Sequence, residues 1–167
     1  ASCTTNKQGG AIYCQQSSSH TFSLRDCNFN KCSAFDGGAL FYKQTASSSD
    51  EISNCIFQEC KASGIGGGAF FQSNGGSIVD CTFLSCQAEF NGGCLVYWNV
   101  AINSDSGIVQ RCIFNAVLSL YNPNELYTTT RESRNIQPLK IADCCFFAQS
   151  NWQNNPGCFL IAAGTGI

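Results

Sequence analysis

The feature that most restricts what this chain can fold into is a repeat. Five segments align on one cysteine: LRDCNFNKC, ISNCIFQEC, IVDCTFLSC, VQRCIFNAV and IADCCFFAQ. The anchors Cys27, Cys55, Cys81, Cys112 and Cys144 stand 28, 26, 31 and 32 residues apart. An aliphatic residue precedes each by three positions (Leu24, Ile52, Ile78, Val109, Ile141), and a phenylalanine follows by two (Phe29, Phe57, Phe83, Phe114, Phe146). A second cysteine comes five after the first as Cys32, Cys60 and Cys86, then lapses to Val117, while Cys3 falls in the same column ahead of the first anchor. Paired glycines follow: Gly9–Gly10, Gly37–Gly38, Gly67–Gly68 and Gly92–Gly93, each opening a short apolar run such as GGALF or GGAFF. Several columns aligned at one period mark a repeat architecture.

The columns select among repeat architectures. Cysteine and phenylalanine two apart lie on the same side of a strand. No segment holds apolar residues at three-to-four spacing, which disfavours helical solenoids. The offset of five between cysteines lets both point inward only if the chain bends between them. The glycine pair marks a second bend. Ser-rich stretches of varying length, QQSSSH, QTASSSD and QSNGGS, mark a third. Three short strands and three bends describe one coil of a right-handed parallel β-helix, an all-β solenoid, and five anchors predict about five coils. Equivalent residues then stack about 4.8 Å apart, so the cysteine, phenylalanine and aliphatic columns become interior ladders.

The stretches CNFNKCSAFDGGALFY and CIFQECKASGIGGGAFF resemble the paired motifs of chlamydial polymorphic outer-membrane-protein repeats, Phe-x-x-Asn followed by Gly-Gly-Ala-aliphatic. Similar cysteine-rich repeats occur in surface proteins of protists. The resemblance runs from about Cys3 to Phe114, and the asparagine position is held here by Cys32, Cys60 and Cys86. It implies a right-handed β-helix in a surface-exposed, adhesive or structural protein.

At 167 residues the chain has the size of one domain. Residues 118–140 (LSLYNPNELYTTTRESRNIQPLK) break the pattern and read as an insertion loop, with Tyr121, Tyr127, Arg131 and Arg134 as candidate partner contacts. Charged residues are only 12% and nearly balanced, and no basic face suggests nucleic acid. No apolar run is long enough for a membrane-spanning helix. Thirteen cysteines favour an oxidising, secreted or cell-surface setting.

Stacked cysteines fall within the Cα separation a disulfide tolerates, so disulfides are the first expectation for Cys3, Cys27, Cys32, Cys55, Cys60, Cys81, Cys86, Cys112 and Cys144. A ladder of buried thiols is the second reading. Metal comes last, because no histidine cluster or C-x2-C completes a four-ligand set. Cys14, Cys94, Cys145 and Cys158 fall off the columns and are candidates for irregular bridges or the unpaired thiol. The residues before the anchors (Asp26, Asn54, Asp80, Arg111, Asp143) read as an outward polar ladder, too diluted for a calcium cage. His20, the single histidine, lacks an evident catalytic partner. The expectation is a non-catalytic extracellular structural or adhesive module without cofactors. Its partners would be further copies stacked end to end as a filament, a cell-surface protein, or a glycan. A carbohydrate-active enzyme on the same fold is the alternative.

Overall fold

The computed structural model describes residues 2–46, 49–99, 107–116, 126–130, 139–147 and 159–162. The described strands are all parallel and wind into a β-solenoid of about four turns. The expected count of five is corrected for a simple reason: five anchors enclose four intervals.

One wall stacks Ile12–Gln16, Leu40–Gln44, Ala69–Ser73, Leu95–Asn99, Leu126–Thr130 and Phe159–Ala162 in chain order. A second stacks Ser23–Arg25, Glu51–Ser53, Ser77–Val79, Ile108–Gln110 and Lys140–Ala142. The third stacks Asn28–Asn30, Ile56–Gln58, Thr82–Ala88, Ile113–Ala116 and Cys145–Phe146. Short strands Ser33–Ala34 and Lys61–Ala62 continue beyond the second cysteine; the first pairs with the second, and the second pairs with the end of Thr82–Ala88.

The interior is made of the columns read from the sequence. Leu24, Ile52, Ile78, Val109 and Ile141 are register partners, and so are Phe29, Phe57, Phe83, Phe114 and Phe146. The phenylalanine rings stack with centroids 4.7 to 5.1 Å apart and within 17° of parallel. One rotamer repeated at the strand spacing therefore yields an offset aromatic stack as well as buried area.

The bend between the cysteines is visible in the backbone. Asp26, Asn54, Asp80, Arg111 and Asp143, just before the first cysteine, have φ between 51° and 55°. Lys31, Glu59 and Ser85, just before the second, have φ between 52° and 57°. One left-handed residue on each side turns the short strand so that both cysteines face inward. Each such residue costs about 1–2 kcal/mol for an L side chain, so the packing inside must hold it there.

The glycine corner differs from expectation in the third coil. Leu40 pairs with Ala69 and Tyr42 with Phe71, so Gly66–Gly67–Gly68 align with Gly37–Gly38–Ala39. The left-handed glycines are accordingly Gly9, Gly37, Gly66 and Gly92, and Gly67 takes the place of a second glycine. Three consecutive glycines permit either register. The one adopted turns Phe71 inward between Tyr42 and Tyr97, with ring centroids 5.3 and 5.4 Å away.

The expected loop over residues 118–140 is also corrected in part. Leu126–Thr130 is a strand of the first wall, paired with Leu95–Asn99 and Phe159–Ala162, so Tyr127 belongs to the wall. Tyr121, Arg131 and Arg134 lie outside the described residues. Where the second cysteine lapses, the backbone register sets Ala116 opposite Cys86 across a register shift, and Val117 lies outside the described residues.

Candidate functional site

The chemistry-bearing groups that the fold brings together are thiols. Cys27, Cys55, Cys81, Cys112 and Cys144 form one file along the solenoid, and Cys3, Cys32, Cys60 and Cys86 form a second. In the first file each S–H meets the carbonyl two residues back in its own coil: Arg25 (3.1 Å), Ser53 (3.2 Å), Val79 (3.3 Å), Gln110 (3.3 Å) and Ala142 (3.3 Å). From Cys55 onward each sulfur also lies 3.6 to 3.7 Å from a carbonyl of the preceding coil. Cys60 and Cys86 repeat the pattern in the second file.

Every described cysteine is a free thiol, which corrects the first expectation, disulfides, for both columns and agrees with the second, a ladder of thiols; Cys14, Cys94 and Cys145, read as irregular bridges or the unpaired thiol, are free as well. The side chains share one orientation from coil to coil, so sulfurs run parallel along the file. A disulfide needs two of them turned toward each other. Cys94, off the repeat's columns in the sequence, is buried beside Cys86 at the glycine corner, and Cys145 is exposed in register with Ile113. Cys158 lies outside the described residues.

Titration follows position in the file. Interaction with Cys112 and burial push Cys81 up to about 12, and interaction with Cys144 and burial do the same to Cys112. Cys55 and Cys60 are raised by their next neighbours, Cys81 and Cys86, and by burial, while Cys86 is raised chiefly by burial. Cys144 goes the other way, to about 7, because the Cys112 side chain hydrogen-bonds to it.

The polar column before the first cysteine lies on an exposed corner, and its members pair across coils. Arg111 donates to both carboxylate oxygens of Asp80 at 2.6 and 2.7 Å, and Gln110 donates to Asp143 at 3.3 Å. Arg111 holds the Asp80 carboxyl below its ordinary range. Arg25–Glu51 (2.7 Å) and Lys31–Glu59 (3.5 Å) repeat the device at neighbouring positions. The His20 ring meets the Ser18 hydroxyl at 2.7 Å in an exposed turn, and its carbonyl accepts from the Gln16 and Gln44 amides. Among the described residues no group of three or more His, Cys, Asp or Glu converges as a metal site, and no helix is long and apolar enough to cross a membrane.

The structure adds a buried polar corner that the sequence reading missed. Asp50 is 1% exposed and accepts hydrogen bonds from the Phe22 amide (3.0 Å) and the Ser73 hydroxyl (2.6 Å). Gln44, fully buried, accepts from the Thr45 and Ala46 amides and donates to the Ser18 carbonyl. The Tyr97 hydroxyl donates to the Gly76 carbonyl at 2.6 Å. These groups satisfy backbone atoms of the Ser-rich turns, which would otherwise be buried unpaired. A signal was present: Gln16 and Gln44 close successive strands in register, just before each turn.

Comparison with known proteins finds no match, whether among family models, curated proteins or solved structures.

Proposed function

We propose that this chain is a non-catalytic structural or adhesive β-solenoid module, displayed outside the cell or secreted. The observation that carries the reading is the cross-coil pairing of its exposed charges. Arg25 with Glu51, Lys31 with Glu59 and Arg111 with Asp80 neutralise one another along the corners. A lyase-like site needs carboxylates and a base gathered around a substrate, whereas these carboxylates are each tied to a cation of a neighbouring coil, two pairs bridging the first two coils and the third lying further along. The Asp50 carboxylate is engaged with an amide and a hydroxyl that hold a turn. Repeated side chains at the strand spacing give a regular face, suited to multiple weak contacts with a glycan or with further copies of the chain. The cysteine-rich repeats and the Gly-Gly-Ala motif support surface display and, in its finer form, end-to-end assembly.

The test is to incubate the purified chain with acidic and neutral polysaccharides, with and without calcium. Retention on polysaccharide, new reducing ends and unsaturated products are followed together with negative-stain microscopy. Retention or filaments without products is the expected result. Products whose formation stops on Arg111→Ala would establish the enzyme instead, and neither retention nor assembly would overturn the proposal.

A further inference from the structure

We propose that the outer face of the third wall binds a neutral, unbranched polysaccharide laid along the solenoid axis. The inference rests on the adhesive reading and narrows it to one face and one class of glycan.

Position is the first support. In every rung of this wall the phenylalanine of the ladder points inward, so the residues on either side of it point outward. In register they form two columns. One is Asn28, Ile56, Thr82, Ile113 and Cys145; beside it run Asn30, Gln58, Leu84, Asn115 and Phe147. No Asp, Glu, Lys, Arg or His stands in either column. The other two walls differ. The second carries Arg25, Glu51 and Lys140. On the first, the outward column is already covered at Phe41, Phe70 and Val96, which are 5%, 4% and 0% exposed. On the third, Ile56, Ile113 and Phe147 remain 39%, 38% and 54% exposed.

Charge is the second. The basic residues at the two left-handed corners that border this face are Arg111 and Lys31, and both already hold carboxylates, Asp80 and Glu59. An acidic polysaccharide would therefore give up hydration of its carboxylates with no cation on the face to receive them. A neutral chain meets no such cost.

Chemistry and size are the third. Amides at Asn28, Asn30 and Asn115 and the Thr82 hydroxyl alternate with apolar Ile56, Leu84 and Ile113. A pyranose carries the matching mixture, hydroxyls around an apolar C–H face. Each amide presents a donor and an acceptor side by side, as a pair of neighbouring hydroxyls requires. The exposed Phe147 ring offers a flat apolar surface at the end of the face. Five rungs at about 4.8 Å and three residues at about 3.3 Å give a patch of about 200 Å². A stable protein partner, a second copy included, covers about 800 Å² on each side. A polymer needs less per rung, because it repeats a weak contact along the face.

The experiment measures retention of the purified chain on cellulose, chitin and mannan, and on immobilised polygalacturonate, at low and at high salt. The expected result is retention on a neutral polysaccharide that salt does not weaken. Ile56→Glu, which sets a charge in the middle of the face, should weaken retention about tenfold or more. Asn30→Asp, which removes an amide donor, should weaken it about fivefold. Gln15→Glu, on the outer side of the first wall, should leave it unchanged. Retention undiminished in both third-wall variants, confined to polygalacturonate, or lost at high salt would overturn the inference and leave the adhesive reading standing. So would a dimer in sedimentation that Ile56→Glu dissociates, since the face would then belong to a second copy. Filaments without retention overturn the inference alone, and neither filaments nor retention overturns the adhesive reading with it. Should Ile56→Glu fail to fold, Asn30→Asp, a nearly isosteric change at an exposed position, decides the matter.

Discussion

The glycine corner and the cysteine corner both reverse the chain with left-handed residues, yet they tolerate different amino acids. At the glycine corner the first residue, Gly9, Gly37, Gly66 or Gly92, has φ of 63° to 69°. The second needs glycine for another reason: a Cβ on Gly10, Gly38 or Gly67 would strike the carbonyl oxygen of the equivalent glycine one coil on. At the cysteine corner the left-handed position is filled by Asp, Asn, Arg, Lys, Glu or Ser. The difference lies in where the side chain goes. Before a cysteine it projects to solvent, so the cost is conformational alone. At the glycine pair the neighbouring coil occupies the volume. A left-handed φ therefore constrains sequence weakly, and close approach of two coils constrains it absolutely.

The largest expected effect probes the inner side of the cysteine corner. Thiols of Cys55, Cys60, Cys81, Cys86 and Cys112 are all raised above the ordinary 9.0. A raised value means that the protonated thiol stabilises the fold below pH 9, and that this contribution is lost as pH rises toward the folded value. Cys144, held at about 7, contributes oppositely: its share is present above 9 and lost as pH falls through 7. The raised thiols outnumber it, so thermal melts should show a steep loss of stability that starts near pH 9 and continues to about pH 12. Each raised thiol contributes about 1.4 kcal/mol per pH unit above its ordinary value. A flat profile would mean that the thiols are not buried as described.

Gly38→Ala comes next. Its Cβ would meet the Gly67 and Lys61 carbonyls, so the coils must separate, and a loss of about 3 kcal/mol or more in denaturant unfolding is expected. The reciprocal change, Ser85→Gly, relieves a φ of 52° without removing an inward side chain. Relief of about 1–2 kcal/mol is offset by about 0.5–1 kcal/mol of added chain entropy, leaving a small net gain in the same assay. Equal effects of the two substitutions would break the distinction between the corners. Smallest of all, Arg111→Ala should leave the melting temperature nearly unchanged, because its pair with Asp80 is solvent-exposed and screened by salt.

Most of the fold was legible because the solenoid writes each interior column in one residue type. Cys, Phe and aliphatic positions recur at fixed offsets within the corner, where insertions would break stacking. The failures share a cause. GIGGGAFF offers two registers, and only the aromatic column from Tyr42 to Tyr97 selects between them. Leu126–Thr130 carries no double glycine before it, so its membership of the wall is decided by pairing with Leu95–Asn99. Cys94 stands outside the repeat's spacing, yet the closing of the coil brings it to Cys86.

The candidate site was legible as columns and illegible as chemistry. Sequence showed that Cys27, Cys55, Cys81, Cys112 and Cys144 would stack, since equivalent positions in successive coils must. Whether the sulfurs join or stand apart depends on χ1, which the shared hydrogen bonds to Arg25, Ser53, Val79, Gln110 and Ala142 set. Nor does any local pattern announce that Asp50, from a Ser-rich turn, is buried against Phe22 and Ser73 of adjoining coils. The period, the inward columns and the places where the chain must turn are written in the residues themselves, because each of these is a local demand repeated from coil to coil. Register through the triple glycine and the buried polar corner emerged only in the folded molecule, because each rests on contacts between coils more than twenty residues apart in the chain.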